Sequence, residues 1–278
     1  MKTLKNKVAA ITGAASGIGR AAALEMAAHG CNLALSDVNE TELQETAKLA
    51  REYQVQVSTH ILDVSNKDAV YQYADDVAMA HGKVNLIMNN AGVGLAAPVD
   101  TMTYDECEWL MGINFWGVVY GTKAFLPYLF ESGEGHVVNV SSLGGFSTTP
   151  YLGAYCTSKF AVRGFTETLF QELKDSCVCV TCVHPGGIKT SLAQNARYGK
   201  TMEVDRDMMT TQTEKMLRTS PDRAAKRVIQ AIKTRKPRLI VGLDAHLLYT
   251  LGRFFPVSLL KFGRTMSDWT YGIEDKHL

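Results

Sequence analysis

Seven short runs rich in β-branched and other apolar residues recur along this chain, with helical stretches interleaved between them. The runs are Val8–Thr12, Cys31–Ser36, Val55–Leu62, Val84–Asn89, His136–Val140, Val178–Val183 and Arg238–Val241. The helical stretches are Ile18–His29, Glu40–Tyr53, Lys67–His81, Tyr104–Phe130 with a break expected in its first half, Tyr151–Asp175 and Pro221–Thr234. A strand apolar on both faces must be covered on both, and alternating helices provide that cover. Right-handed crossovers then wind the chain into an α/β fold, a doubly wound parallel sheet. Ligands of such sheets bind beyond the carboxyl ends of the strands, so residues at those ends are the ones to read for chemistry.

Over 278 residues there is no Pro/Gly/Ser-rich linker near the middle. One domain is therefore expected across 1–278, with a core at about 5–242, a lid at 191–219 and a helical tail at 243–278. A formal net charge of +1 exerts no general pull toward nucleic acid. Lys2, Lys5 and Lys7 precede the apolar Val8–Ile11, but that run is too short for a secretion signal. No stretch of about 20 apolar residues would cross a membrane. The expected location is the cytoplasm, or the cytoplasmic face of a membrane. Cys179 and Cys182 form a C-x-x-C inside a strand-like run, with no second ligand pair for zinc and no helix N-terminus for redox chemistry. They read as core residues, and no metal is expected.

Thr12–Gly19 (TGAASGIG) follows the first run and opens a helix, which makes the expected sheet Rossmann-like. Gly13 permits the sharp turn, Gly17 lets backbone approach a pyrophosphate, and Gly19 allows close helix–strand packing. Ser16 and Ile18 lie among them, and the N–H groups of the helix start face the phosphates. Asp37 ends the second strand about 20 residues later, where a carboxylate accepts from the adenosine ribose hydroxyls and repels a 2′-phosphate. NAD is thus preferred over NADP. A plainer reading makes Asp37 a turn residue or helix cap.

Tyr155 and Lys159 stand four apart at the start of a helix and project from one face. A free tyrosine has a pKa of about 10 and is a poor base at neutral pH, but nearby cations favour its phenolate. At this point the sequence resembles the short-chain dehydrogenase/reductase family over about residues 5–242. The resemblance rests on the glycine turn, Asp63-Val64, Asn89-Asn-Ala-Gly92, Asn114, Ser142, Tyr155-x-x-x-Lys159, and Pro185-Gly186 with Ile188 and Thr190.

What the resemblance implies is a set of roles. Tyr155 exchanges a proton with the substrate hydroxyl, and Lys159 holds the nicotinamide ribose and lowers the pKa of Tyr155. Ser142 bonds the reacting oxygen, while adjacent Ser141 points the other way. Asn114 holds a water that links Lys159 to solvent; a plainer alternative is a helix-interior asparagine bonding a backbone carbonyl. Asp63 and Val64 line the adenine pocket, and Asn90 and Gly92 lie beside the cofactor. Beyond Pro185 and Gly186, Ile188 and Thr190 hold the carboxamide. The family also commonly forms homodimers or homotetramers through its long central helices, here about Asn114–Phe130 and Tyr155–Asp175. Cys156, after the tyrosine, reads as packing rather than as a reactive thiol.

The expected activity is interconversion of a secondary alcohol and a ketone. The rivals are an NADPH-dependent 3-oxoacyl thioester reductase and a dinucleotide-sensing protein without turnover. Val93–Pro98, Leu143–Tyr151 and the segment after Gly187 should wall the substrate pocket, and no cluster of cations there suits an anionic substrate. Met202, Met208, Met209, Met216 and Leu217 suit either an adaptable apolar lid or plain packing. Residues 233–264 carry seven Lys/Arg against Asp244 alone, interleaved with aromatic and aliphatic residues. Packing over the pocket or into an oligomer is the preferred reading of this tail, and contact with a membrane surface is the alternative.

Overall fold

A computed structural model describes residues 1–200, 211, 215 and 217–271. Seven strands form one sheet: β1 (Val8–Thr12), β2 (Asn32–Asp37), β3 (Val57–Ile61), β4 (Leu86–Asn89), β6 (Gly135–Val140), β7 (Val178–Pro185) and β9 (Arg238–Val241). Their spatial order is β3-β2-β1-β4-β6-β7-β9, and every pair is parallel. The order of travel reverses between β1 and β4, which opens a crevice at their carboxyl ends. A two-stranded ladder of β5 (Leu95–Ala96) and β8 (Arg197–Tyr198) lies outside this sheet.

Alternation along each strand builds a core on both faces. Ala9 and Ile11 of β1 join Met26, Leu33, Leu35, Val228 and Ile232 on one side. Val8 and Ala10 join Tyr73, Ile87, Phe125 and Leu129 on the other. The first face is covered by α1 (Gly17–Ala28) and α7 (Pro221–Lys233), the second by α3 (Lys67–His81), α5 (Gly117–Glu131) and α6 (Gly153–Glu172). Between β2 and β3 runs α2 (Glu40–Arg51). Helix starts are set locally: Asn39, Asn66 and Ser220 each accept a first-turn N–H, and Thr103 with Glu106 makes a reciprocal capping box for α4 (Tyr104–Met111). A buried chain of side-chain hydrogen bonds crosses the second face, from Asn89 to Thr122 (3.1 Å) and Asn139 (2.9 Å), and from Asn139 to Thr166 (3.1 Å).

The helical stretch read over Tyr104–Phe130 is two helices, α4 and α5, joined by a π turn at Gly112–Trp116. The turn carries Asn114, whose side chain bonds the Val93 backbone in both directions and so holds the widened coil. Cys179 and Cys182, three apart on β7, fall on opposite faces of the sheet. Beyond β9, α8 (Leu243–Phe254) and α9 (Pro256–Tyr271) form the tail. Among the described residues no helix is long and apolar enough to cross a membrane. Met202, Met208, Met209 and Met216 of the expected lid, and residues 272–278 of the tail, lie outside the described residues.

Candidate active site

The glycine turn lies at the reversal of strand order. Gly13 has φ +66°, and a Cβ there would stand 2.8 Å from the Ala91 Cα. A Cβ on Gly19 would stand 2.0 Å from the Gly13 carbonyl oxygen, so helix and turn touch through bare backbone. Asn90 stitches the turn to the end of β4, its Nδ2 donating to the carbonyls of Thr12 and Gly13, both at 3.0 Å. Thr12 returns the bond through Oγ1, which accepts from the N–H groups of Asn90 and Ala91. Ser16 is the N-cap of α1 in extended conformation, and its side chain makes no capping hydrogen bond. The first-turn N–H groups of α1 therefore present the positive end of a helix without a side-chain cap.

Asp37 sits at the carboxyl end of β2 and braces the same turn. Its Oδ2 accepts from the Ala15 N–H and its Oδ1 from the Asn39 N–H, both at 3.0 Å. Each oxygen keeps a further lone pair for a ligand hydroxyl. The turn-residue reading of Asp37 thus describes real bonds, and it is compatible with the ligand reading. Asp63 is exposed after β3, its Oδ1 held by the Ser65 N–H (2.9 Å) and hydroxyl (2.7 Å), and Val64 is buried beside Gly117.

Tyr155, Lys159 and Ser142 meet where β6 gives way to a short 3-10 turn at Leu143–Gly145. Burial pushes the Tyr155 phenol above its ordinary pKa, and a hydrogen bond with the Ser142 hydroxyl offsets part of that rise. Lys159 is buried, with Nζ donating to the Val140 carbonyl (3.1 Å) and lying 5.9 Å from the Tyr155 ring centroid. Burial also lowers the Lys159 ammonium to about 8. Ser142 Oγ accepts from the Gly144 N–H at 3.1 Å, while Ser141 turns away and donates to the Lys159 carbonyl at 2.8 Å. Adjacent serines on extended backbone thus part company as alternation requires. Asn114 is fully buried, and its Nδ2 also donates to Ser158 Oγ (3.2 Å), which in turn donates to the Tyr155 carbonyl (2.7 Å). Gly92 closes the group: a Cβ there would lie 3.2 Å from Asn114 Oδ1 and 3.4 Å from Lys159 Nζ.

The segment after β7 forms the opposite wall. Pro185 ends the strand, Gly186 bonds Val241, and Ile188 is buried. Thr190 faces the glycine turn, with Cγ2 3.0 Å from where a Gly17 Cβ would stand. A cavity of about 530 Å³ opens here, lined by Gly17, Thr190, Ser191, Gln194, Leu217 and Pro221 among others. Cys156 is buried, its thiol pushed upward by that burial, in keeping with packing. Two residues that sequence reasoning passed over support this region. His184 Nδ1 donates to the Ser142 carbonyl (3.1 Å), burial lowers its pKa to about 4, and its ring lies 4.0 Å from that of Phe146. Asp244 of α8 accepts from the Gly187 N–H at 2.6 Å. His184 gave no signal beyond its place before Pro185; Asp244 stood out only as the one acid in a basic tail.

Such a site fits an extended dinucleotide: glycines leave backbone bare where a pyrophosphate must approach, and a carboxylate stands one strand away. The family model described as short chain dehydrogenase matches residues 7–201. The oxidoreductase SadH of Mycobacterium tuberculosis is 43% identical over 258 residues, covering 91% of this chain and 92% of that protein. Human estradiol 17-beta-dehydrogenase 11 is 32% identical over 267 residues, covering 93% and 82% respectively. Among solved structures, a short chain dehydrogenase/reductase from Burkholderia phymatum in complex with NAD superposes with a TM-score of 0.84. It shares 30% identity and covers 91% of this chain and 95% of its own.

Proposed function

This chain belongs to the short chain dehydrogenase family and is an oxidoreductase acting on CH–OH groups, and we propose that it uses NAD to interconvert a secondary alcohol and a ketone. The observation that carries the reading is the meeting of Tyr155, Ser142 and Lys159 beside Gly92, at the strand ends that also hold the glycine turn. In oxidation, the Tyr155 phenolate takes the proton of the substrate hydroxyl; in reduction, the phenol returns it. Ser142 Oγ bonds the reacting oxygen and steadies its developing charge. Lys159 places a cation near the phenol, and Asn114 fixes the wall from which a proton relay leaves Lys159. When bound, NAD supplies the hydride acceptor and a positive ring charge. The residues that hold it are Gly13, Ser16, Gly17, Ile18 and Gly19 at the pyrophosphate and Asp37 at the adenosine ribose. Asp63 and Val64 would line the adenine pocket, Asn90 and Gly92 would lie beside the cofactor, Lys159 next to Tyr155 would hold the nicotinamide ribose, and beyond Pro185 and Gly186 the backbone near Ile188 and the Thr190 hydroxyl would hold the carboxamide.

The substrate is read as apolar. Val93, Leu95, Ala97, Met102, Trp109 and Leu110 form an apolar cluster with Tyr155 on that side of the site. The purified protein is expected to reduce NAD in the presence of secondary alcohols, with kcat/KM rising as the alcohol gains apolar bulk. NADP is expected to be the poorer cofactor by about tenfold or more, because Asp37 opposes a 2′-phosphate. A preference for NADP would overturn the role of Asp37 and favour the 3-oxoacyl thioester reductase. Silence with both cofactors would favour the sensing protein.

The chain is read as one domain over 1–278, with the 5–242 core, the 191–219 lid and the 243–278 tail, working in the cytoplasm. Exposed Trp116 and Phe130 beside α5 and on it, with Phe160 and Phe170 on α6, support self-association into a homodimer or homotetramer through these helices. On α8 Tyr249 packs against Phe146 and accepts from Arg238, which supports packing of the tail over the body, and exposed Leu243, Leu247 and Phe254 beside Arg253 leave peripheral contact with an anionic membrane surface as the alternative. Co-sedimentation with anionic vesicles at low salt would favour that alternative, and its absence would remove it.

A further inference from the structure

The tail is tied to the reaction centre through one carboxylate. Asp244 stands in the first turn of α8, just past Gly242, whose φ of +108° admits the close turn out of β9. Three glycines surround its side chain. A Cβ on Gly186 would stand 2.4 Å from Oδ2, a Cβ on Gly242 would stand 2.3 Å from Oδ1, and the Gly187 N–H donates to Oδ2 at 2.6 Å. Side chains at 186 and 242 are thus excluded by the carboxylate itself.

The Gly187 residue is held from both ends. While its N–H is taken by Asp244, its carbonyl accepts from the N–H groups of Arg218 (3.0 Å) and Thr219 (3.1 Å). The Thr219 carbonyl accepts in turn from the Lys189 N–H at 2.9 Å, and Ile188 bridges Thr219. Ile188 and Thr190 follow directly, and Thr190 packs against Gly17 of the glycine turn. A charged acceptor on a backbone N–H is among the stronger hydrogen bonds a protein makes, and here it fixes the first peptide of the wall facing the cofactor turn.

We propose that Asp244 is a positioning residue for cofactor binding, acting through Gly187 to set the 187–190 segment against the glycine turn. Its hydrogen bond is with the Gly187 backbone, on the stretch that leads to Thr190 and the glycine turn, so its effect on NAD affinity is expected to exceed any effect on alcohol recognition. The proposal rests on the NAD reading above, and NAD-dependent turnover by the unaltered protein tests that reading first. A preference for NADP there would overturn the NAD reading itself, before any variant is compared.

With turnover in hand, KM for NAD, KM for the alcohol and the melting temperature are measured for Asp244→Ala, Asp244→Asn and Gly242→Ala. Asp244→Ala is expected to raise KM for NAD about tenfold or more, with the alcohol KM within about twofold of the unaltered protein. Asp244→Asn keeps an oxygen acceptor in place and is expected to recover most of that loss. Gly242→Ala, outside the cofactor-binding residues, puts a methyl group 2.3 Å from Oδ1 and is expected to reproduce Asp244→Ala; it also decides the matter if Asp244→Ala does not fold. A merely structural anchor would lower the melting temperature without separating the two KM values. Equal changes in both KM values, an unchanged KM for NAD, or no recovery with Asn would overturn the proposal.

Discussion

Tyr155→Phe is expected to lower turnover by about 10²–10⁴-fold while leaving NAD binding within a few-fold of the unaltered protein. The substitution removes one oxygen and leaves the ring, so the apolar contacts of Tyr155 with the Leu95, Ala97 and Leu110 cluster survive. What is lost is the group that exchanges a proton, together with its hydrogen bond to Ser142. The pH dependence gives a second check. Burial holds the phenol above its ordinary value, so dehydrogenation, which needs phenolate, should quicken as pH rises. Reduction needs the phenol and should slow over the same range. Lys159, lowered to about 8, loses its charge within that window and should blunt the gain in oxidation at its alkaline end. In the Phe variant both slopes should vanish. Steady-state rates in the two directions from pH 6 to 10, with NAD binding followed by fluorescence, decide it. Unchanged turnover would remove Tyr155 as the base.

Much of this arrangement is legible in the sequence because its physics is local. Val8–Thr12 and Arg238–Val241 are strands with the bounds expected of them, since each is a buried apolar run closed by a turn. Lys67–His81 is likewise a helix over its expected length, opened by the Asn66 cap and closed by Gly82 at φ +70°. The family resemblance puts Ser142 at the reacting oxygen, and strand alternation then turns Ser141 away. Legibility failed where a residue's partner lies far along the chain. The break expected in the first half of Tyr104–Phe130 is there, but that it is a π turn was not legible, because it depends on Asn114 bonding Val93, 21 residues back. Asp244 meets Gly187 across 57 residues, and His184 meets Ser142 across 42, so neither carries a motif. Asp37 shows a different limit. Its ligand and turn readings were posed as rivals, yet one carboxylate has enough lone pairs to brace Ala15 and Asn39 and still face a ribose. The tail remained ambiguous for a physical reason too, since one amphipathic helix can turn Tyr249 inward toward Phe146 and Arg238 while leaving Leu247 and Phe254 outside.

Gly19→Ala is expected to weaken NAD binding by about 100-fold or more, although alanine is the better helix former. On propensity alone the change would stabilise α1 by roughly 1 kcal/mol. The close approach reverses that sign. The new Cβ would stand 2.0 Å from the Gly13 carbonyl oxygen and 2.6 Å from Asn90 Nδ2, distances no packed methyl group tolerates. Neither neighbour yields freely, because Asn90 Nδ2 is itself bonded to the Gly13 and Thr12 carbonyls and Gly13 sits against the Ala91 backbone. Relief therefore comes from moving the turn off the end of β4, which pulls the first-turn N–H groups of α1 away from the strand ends. Overpacking of this kind costs about 1–3 kcal/mol, and the cost falls on the geometry a pyrophosphate would need. Far-ultraviolet circular dichroism should show the fold retained, while titration calorimetry with NAD reports the loss. Binding at the affinity of the unaltered protein would mean that the bare backbone contact between Gly13 and Gly19 does not govern the cofactor turn.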